Sequence, residues 1–89
     1  MAYVSGRVFS GEKTGLGTTA EPVHPTQVCR EVLIQNDAGN AGTLLVGNVT
    51  GQYVKLTPGQ SITLPIFSLS LVYVRMSTGT GTVNWLARD

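Results

Sequence analysis

Residues Gln52–Leu86 read QYVKLTPGQSITLPIFSLSLVYVRMSTGTGTVNWL, and their spacing decides the fold class. Val54, Leu56, Ile62, Leu64, Val72, Val74, Val83 and Trp85 recur at intervals of two. This places them on one face of pleated strands, with Lys55, Thr57, Ser61, Thr63 and Asn84 on the other. The punctuation fits strands. Thr57-Pro58-Gly59-Gln60 sets a proline where φ is already near its turn value and a glycine where φ can turn positive, which predicts a tight reversal. Thr78-Gly79-Thr80-Gly81 predicts a second, looser hairpin between Val72–Met76 and Thr82–Ala87.

Upstream of this stretch, Val28–Gln35 (VCREVLIQ) is the first strong strand. It carries Val28, Arg30, Val32 and Ile34 on one face and Cys29, Glu31, Leu33 and Gln35 on the other. Both faces are partly apolar, as in a strand covered on both sides, inside a sandwich or at an interface. Asn36–Gly42 is a turn cluster, Thr43–Val49 a further strand, and Asn48–Gly51 the turn that follows it. Pro65 should end the Ile62 strand, and Ile66–Leu69 should cross over and plug the end of the core. Tyr3–Phe9 reads as a short strand or an extended arm. Ser10–Thr26 (SGEKTGLGTTAEPVHPT) has three glycines, two prolines and no periodicity, and reads as a long loop that either orders against a neighbouring subunit or stays mobile. No stretch has helical periodicity with caps. The expected fold is therefore all-β: a small β-sandwich or barrel of about six to eight short antiparallel strands, with an extended N-terminal arm or loop. It forms a single domain, with residues 1–26 as strand, arm and loop and residues 27–89 as the core. Greek-key connections are expected over a simple meander.

Eighty-nine residues bury only on the order of 60–65% of their unfolded surface, so the core should be marginal without further cover. Charged residues make up 12% of the chain against a usual value of about 25%, which suggests a surface partly hidden by neighbours. A net charge of +1 leaves no electrostatic footprint for nucleic acid or an anionic membrane. The single Cys29 permits no intrachain disulfide and reads as a small buried thiol. MAYVSGRVFSG has no continuous apolar run, and no segment approaches the roughly 18–20 apolar residues that cross a bilayer. The expectation is a chain made and kept in solution in a reducing cell.

The residues of reactive chemistry are sparse. Gly15-Leu16-Gly17-Thr18-Thr19-Ala20 spells a dinucleotide fingerprint, but Pro22 and Pro25 follow where a helix N-terminus is needed. His24, the only histidine, lies between prolines. One His, one Cys and scattered acids cannot supply the three or four ligands of a zinc site, so no metal or cofactor is expected, and His24 reads as a loop residue with a local hydrogen bond. A nucleophile would have His24 as its only histidine base, and Glu31 and Asp37 do not form a carboxylate pair, so no catalytic residues are assigned. Asn48-Val49-Thr50 spells a glycosylation sequon and reads as a turn. Tyr3, Tyr53, Tyr73 and Trp85 would suit a sugar-binding row, although the alternation around Trp85 reads as core.

Five segments together resemble small virion proteins of tailed bacteriophages: Val32–Asn36, Leu45–Asn48, Leu56–Pro65, Val72–Val74 and Thr82–Leu86. In that group a strand, a strand ending Gly-Asn, a Pro-Gly hairpin and a closing Val-x-Trp follow in this order. The resemblance spans about Val28–Ala87. It implies a non-enzymatic capsid decoration or cement protein, made in the host cytoplasm and carried on the outer head surface of the virion. The implied partners are the major capsid protein and copies of the chain itself, as a homo-oligomer and most plausibly a trimer, with neither nucleic acid nor membrane. The N-terminal segment, by virtue of being unpaired, offers Tyr3, Arg7, Phe9, Lys13 and Leu16 as contact residues, and deleting Met1–Thr26 should leave the sheet folded. The alternative is a module of a tail or head fibre that holds host surface glycan on the Tyr and Trp residues.

Overall fold

A computed structural model of the chain describes residues 7–89. Eight strands form two antiparallel four-stranded sheets packed face to face: β1 (Val8–Leu16), β2 (Glu21–Pro22), β3 (Glu31–Asn36), β4 (Leu44–Asn48), β5 (Gly51–Leu56), β6 (Ser61–Leu64), β7 (Tyr73–Met76) and β8 (Gly81–Arg88). One sheet has the order β1-β8-β3-β6 and the other β2-β7-β4-β5. The all-β sandwich expected from the alternation is the fold observed. Among the described residues the only helical piece is a 3-10 turn, Leu69–Leu71, capped by Ser68.

The core is the set of inward positions of both sheets. Val32, Ile34, Val83, Trp85 and Ala87 from the first face Leu44, Val46, Leu56, Val72, Val74 and Met76 from the second. Leu69 closes one end, as the plug expected of Ile66–Leu69, whereas Phe67 of that segment points outward and is 71% exposed. Each fully buried Val or Leu contributes about 1.5–3 kcal/mol.

Three expectations are corrected. Ser10–Thr26 is not one long loop: Val8–Leu16 is a nine-residue strand paired with β8 from Val8↔Arg88 to Lys13↔Val83, and Glu21–Pro22 pairs with β7, which leaves only residues 17–20 and 23–26 irregular. Leu16 and Val23 are core residues. The glycines that suggested a loop have specific places. Gly11 lies opposite Trp85, where a Cβ would come within 2.8 Å of the indole ring, and Gly15 takes φ +66° where the pairing shifts. A chain without Met1–Thr26 would therefore lose two strands and part of its core, and should not stay folded. The segment Tyr3–Phe9 lies partly outside the described residues.

The second correction concerns the two turns. Thr57–Gln60 is a tight reversal, with Gly59 at φ +88° and Gln60 N–H donating to Thr57 O at 2.9 Å. Yet it carries the chain from β5 in one sheet to β6 in the other, and Thr78–Gly81 likewise passes from β7 to β8 across the sandwich. Both are arches. Alternation cannot tell a hairpin from an arch: Val72, Val74 and Met76 face Val83, Trp85 and Ala87 across the core instead of lying beside them. Only β4 and β5 form a hairpin between consecutive strands; every other connection changes sheets. In that hairpin the Asn48 side-chain oxygen accepts from Thr50 N–H, Thr50 Oγ1–H and Gly51 N–H at 2.8–3.0 Å.

Third, Val28–Gln35 does not alternate throughout. Cys29 and Val32 are both buried, so the phase changes at the Arg30 bend; β3 proper begins at Glu31, and Val28 makes an isolated bridge to Ser68.

The two sheets are joined by a polar knot. Asn36, fully buried, donates its Nδ2 hydrogens to Gly42 O (3.0 Å) and Leu56 O (2.8 Å), and accepts from Asn40 Nδ2 (2.6 Å). Asn40 in turn donates to Thr82 O at 2.7 Å and accepts from Thr82 N–H at 2.9 Å. The ends of β3 and β5 and the starts of β4 and β8 thus meet at two amides. No buried side-chain polar atom among the described residues lacks a partner.

Candidate functional site: the apolar outer surfaces

The proposed contact residues do not share one surface. Arg7 is exposed and ion-paired to Asp89 at 2.6 Å, its Nε also donating to that carboxylate at 2.7 Å, and its guanidinium lies 5.5 Å from the Phe9 ring centroid. This pairing holds the Asp89 carboxyl below the ordinary carboxylate range. Phe9 packs half-buried against the core. Lys13 reaches Glu21 of the other sheet at 3.1 Å and closes the side of the sandwich. Leu16 is wholly buried. Tyr3 lies outside the described residues. Phe9 and Lys13 turn inward, on the side of Gly11 and Trp85.

Two apolar surfaces were not anticipated. The first is the outer face of the β1-β8-β3-β6 sheet. Leu33 lies opposite Leu86 on one side and Thr63 on the other, and Val8 lies opposite Arg88, which lies opposite Glu31. These residues line an open depression of about 220 Å³. Val8 and Leu86 are both exposed, and the Arg88 Nε to Glu31 Oε1 pair (3.1 Å) bounds one side. The signal was present in the sequence: Leu33 and Leu86 are apolar residues out of phase with their buried neighbours Val32, Ile34 and Trp85.

The second surface lies where the Val28–Ser68 bridge joins the start of β3 to the 3-10 turn. Cys29 N–H donates to Phe67 O and Leu69 N–H to Gln27 O. Val28, Phe67 and Leu71 are all exposed here. Cys29 is buried beneath, its Sγ 3.3 Å from Ile66 O, and burial pushes its thiol pKa up. Such surfaces can bind an apolar side chain or a protein face, and exposed apolar patches of this kind mark interaction sites.

His24 is placed as a loop residue. Its Nδ1 lies 2.7 Å from Pro25 O and its ring meets Trp85 edge-on, centroids 5.1 Å apart. Gly15–Ala20 runs from the end of β1 into bends, with no helix to receive a phosphate. Among the described residues no three His, Cys, Asp or Glu side chains are grouped to hold a metal ion. The aromatic row is broken: Trp85 is core, Tyr73 is half-buried and Tyr53 is 83% exposed. Tyr53 stands out because β5 bulges there. Val46 pairs with Val54 but Gly47 pairs with Gln52, which leaves Tyr53 unopposed. Comparison of the chain with protein-family models, with characterised proteins and with solved structures finds no match.

Proposed function

We propose that this chain is a non-enzymatic virion structural protein: a decoration protein that binds the outer surface of a tailed-phage head through the major capsid protein and stabilises the shell. The observation that carries this reading is the pair of uncovered apolar surfaces, Val8–Leu33–Leu86 and Val28–Phe67–Leu71, on a domain with few charges. Apolar area left open on so small a sandwich favours a protein that gains stability from neighbours. On a lattice, many weak contacts of this size act together. Contacts would come from these surfaces together with Arg7, in place of Phe9, Lys13 and Leu16.

The test is copy number and position in purified particles, by quantitative mass spectrometry and immunogold labelling. Hundreds of copies over the head are expected; a few copies at the tail, or none, would overturn the proposal. A second reading, a fibre-associated module for host glycan, draws on the exposure of Tyr53. It requires glycan-array binding that disappears in Tyr53→Ala.

A further inference from the structure

The four edges of the sandwich are not alike. β2 has two residues, one of them Pro22; β6 has four and runs into Pro65; β5 is interrupted by the bulge at Tyr53. Short length, proline and bulges are the usual guards against edge-to-edge pairing. β1 alone has a long regular edge, six successive pairs with β8 from Val8 to Lys13, before its register shifts. Its one inward charge, Lys13, is taken up by Glu21. Among the described residues no strand lies on its far side.

The direction of its free backbone groups follows from one bond. Asp89 N–H donates to Arg7 O at 3.2 Å, so Arg7 faces β8 with its backbone groups. By antiparallel alternation Phe9, Gly11 and Lys13 do the same. The N–H and C=O of Val8, Ser10 and Glu12 therefore point away from the sheet, a set symmetric about Ser10.

We infer that the β1 edge pairs with β1 of a second copy across a two-fold axis at Ser10, joining two sheets into one of eight strands. Ser10 then lies opposite Ser10, and Val8 opposite Glu12 of the second copy, so Val8, Ser10 and Glu12 of each chain donate and accept across the seam. A head-to-tail arrangement would need a second competent edge, and β2, β5 and β6 do not provide one; the isologous pair closes on itself. The charges agree. Glu12 has no ion pair within its own chain among the described residues. In the pair it joins the row Glu31, Arg88, Val8, with its Cα about 10 Å from Arg88, at two strand spacings. Both side chains are long enough to meet over Val8. The assembly closes at two copies, where the phage resemblance implies three, and it holds whether or not the protein coats a head.

The experiment uses the full chain without capsids. Sedimentation equilibrium should give twice the 9.4 kDa chain mass, and Ser10→Lys, which sets two cations opposite each other on the axis, should halve that mass while leaving the circular dichroism spectrum unchanged. Ser10→Cys should cross-link to a covalent dimer under mild oxidation, since opposed Cα atoms lie about 5.5 Å apart and within disulfide reach. Glu12→Cys, about 13 Å from its symmetry mate at four strand rises, should not. A monomer or trimer in wild-type solution, or equal cross-linking at both positions, would overturn the inference. Cross-linking at Ser10→Cys decides the matter even if Ser10→Lys fails to fold.

Discussion

Replacing Asn36 by Leu keeps the side chain close in size while removing both amide donors and the acceptor. Gly42 O and Leu56 O lose their bonds from Asn36 Nδ2, at 3.0 and 2.8 Å, the first part-buried and the second buried. Loss of the buried Leu56 bond costs about 1–3 kcal/mol and loss of the part-buried Gly42 bond about 0.5–1.5 kcal/mol, so the pair costs about 2–4 kcal/mol. Asn40 keeps its two bonds to Thr82 and adds little. A chain of this length has about 4–13 kcal/mol of stability in all, so the substitution removes a large share of it. Urea unfolding followed by Trp85 fluorescence is the assay. With a slope of about 1 kcal/mol/M, the midpoint should fall by at least about 2 M with the slope unchanged. Asn84→Ala is the control: its bonds to Gln35 and Asp37 are part-buried and leave no buried group unpartnered, and its loss should cost about 1 kcal/mol or less. If Asn36→Leu unfolds within 1 kcal/mol of wild type, the buried amide does not tie the sheets together and the reasoning fails.

Three further outcomes are expected. Deleting Met1–Thr26 removes β1, β2, Leu16 and Val23, and the remainder should give the narrow amide-proton dispersion of an unfolded chain; a dispersed spectrum would return this segment to the status of an arm. Gly47→Ala would press a Cβ against Gly51 O and to 2.7 Å from the Gln52 Cα; since backbone must move at the bulge, a loss of about 1–3 kcal/mol is expected in the same urea assay, and an unchanged midpoint would count against the tight crossing. The Asn84 amide, and after it the Gly39 N–H, hold the Asp37 carboxyl below its ordinary 3.8, and Arg7 holds Asp89 below the same value. Depressed carboxylates contribute stability above the unfolded value that is lost as pH falls through the folded one, so thermal midpoints should be flat from neutral to about pH 5 and decline below pH 3.8, less steeply in Asp37→Asn.

Strand content was legible wherever alternation was strict. Val72, Val74, Val83 and Trp85 were placed in the core by spacing alone, and Thr57–Gln60 by turn chemistry. The N-terminal strand was not, because its inward positions are Phe9, Gly11 and Lys13: a half-buried ring, a glycine emptied to admit Trp85, and a cation that reaches the opposite sheet. Nothing in that triplet reads as a hydrophobic face. Arches could not be told from hairpins because the distinction rests on Asn36 and Asn40, polar residues that look like ordinary turn formers until their amides are seen tying four chain segments together. The apolar outer face was visible as Leu33 and Leu86 out of phase; the apolar second face of Val28–Gln35 reads as burial inside a sandwich or at an interface, and spacing alone does not choose between them.

The pairing of β1 with β8 has a consequence for biosynthesis. β1 leaves the ribosome some seventy residues ahead of its sheet neighbour, Gly81–Arg88, and at about 5–20 residues per second it waits roughly 4–15 s for that neighbour to be made. β8 also separates β1 from β3, so a nascent chain lacking it has neither the Val8–Leu86–Leu33 depression nor an ordered Ser10 seam. Chains terminated before β8 would thus lack both that depression and the seam. Translation itself would exclude them from any assembly built on these two features before a protease or chaperone had to.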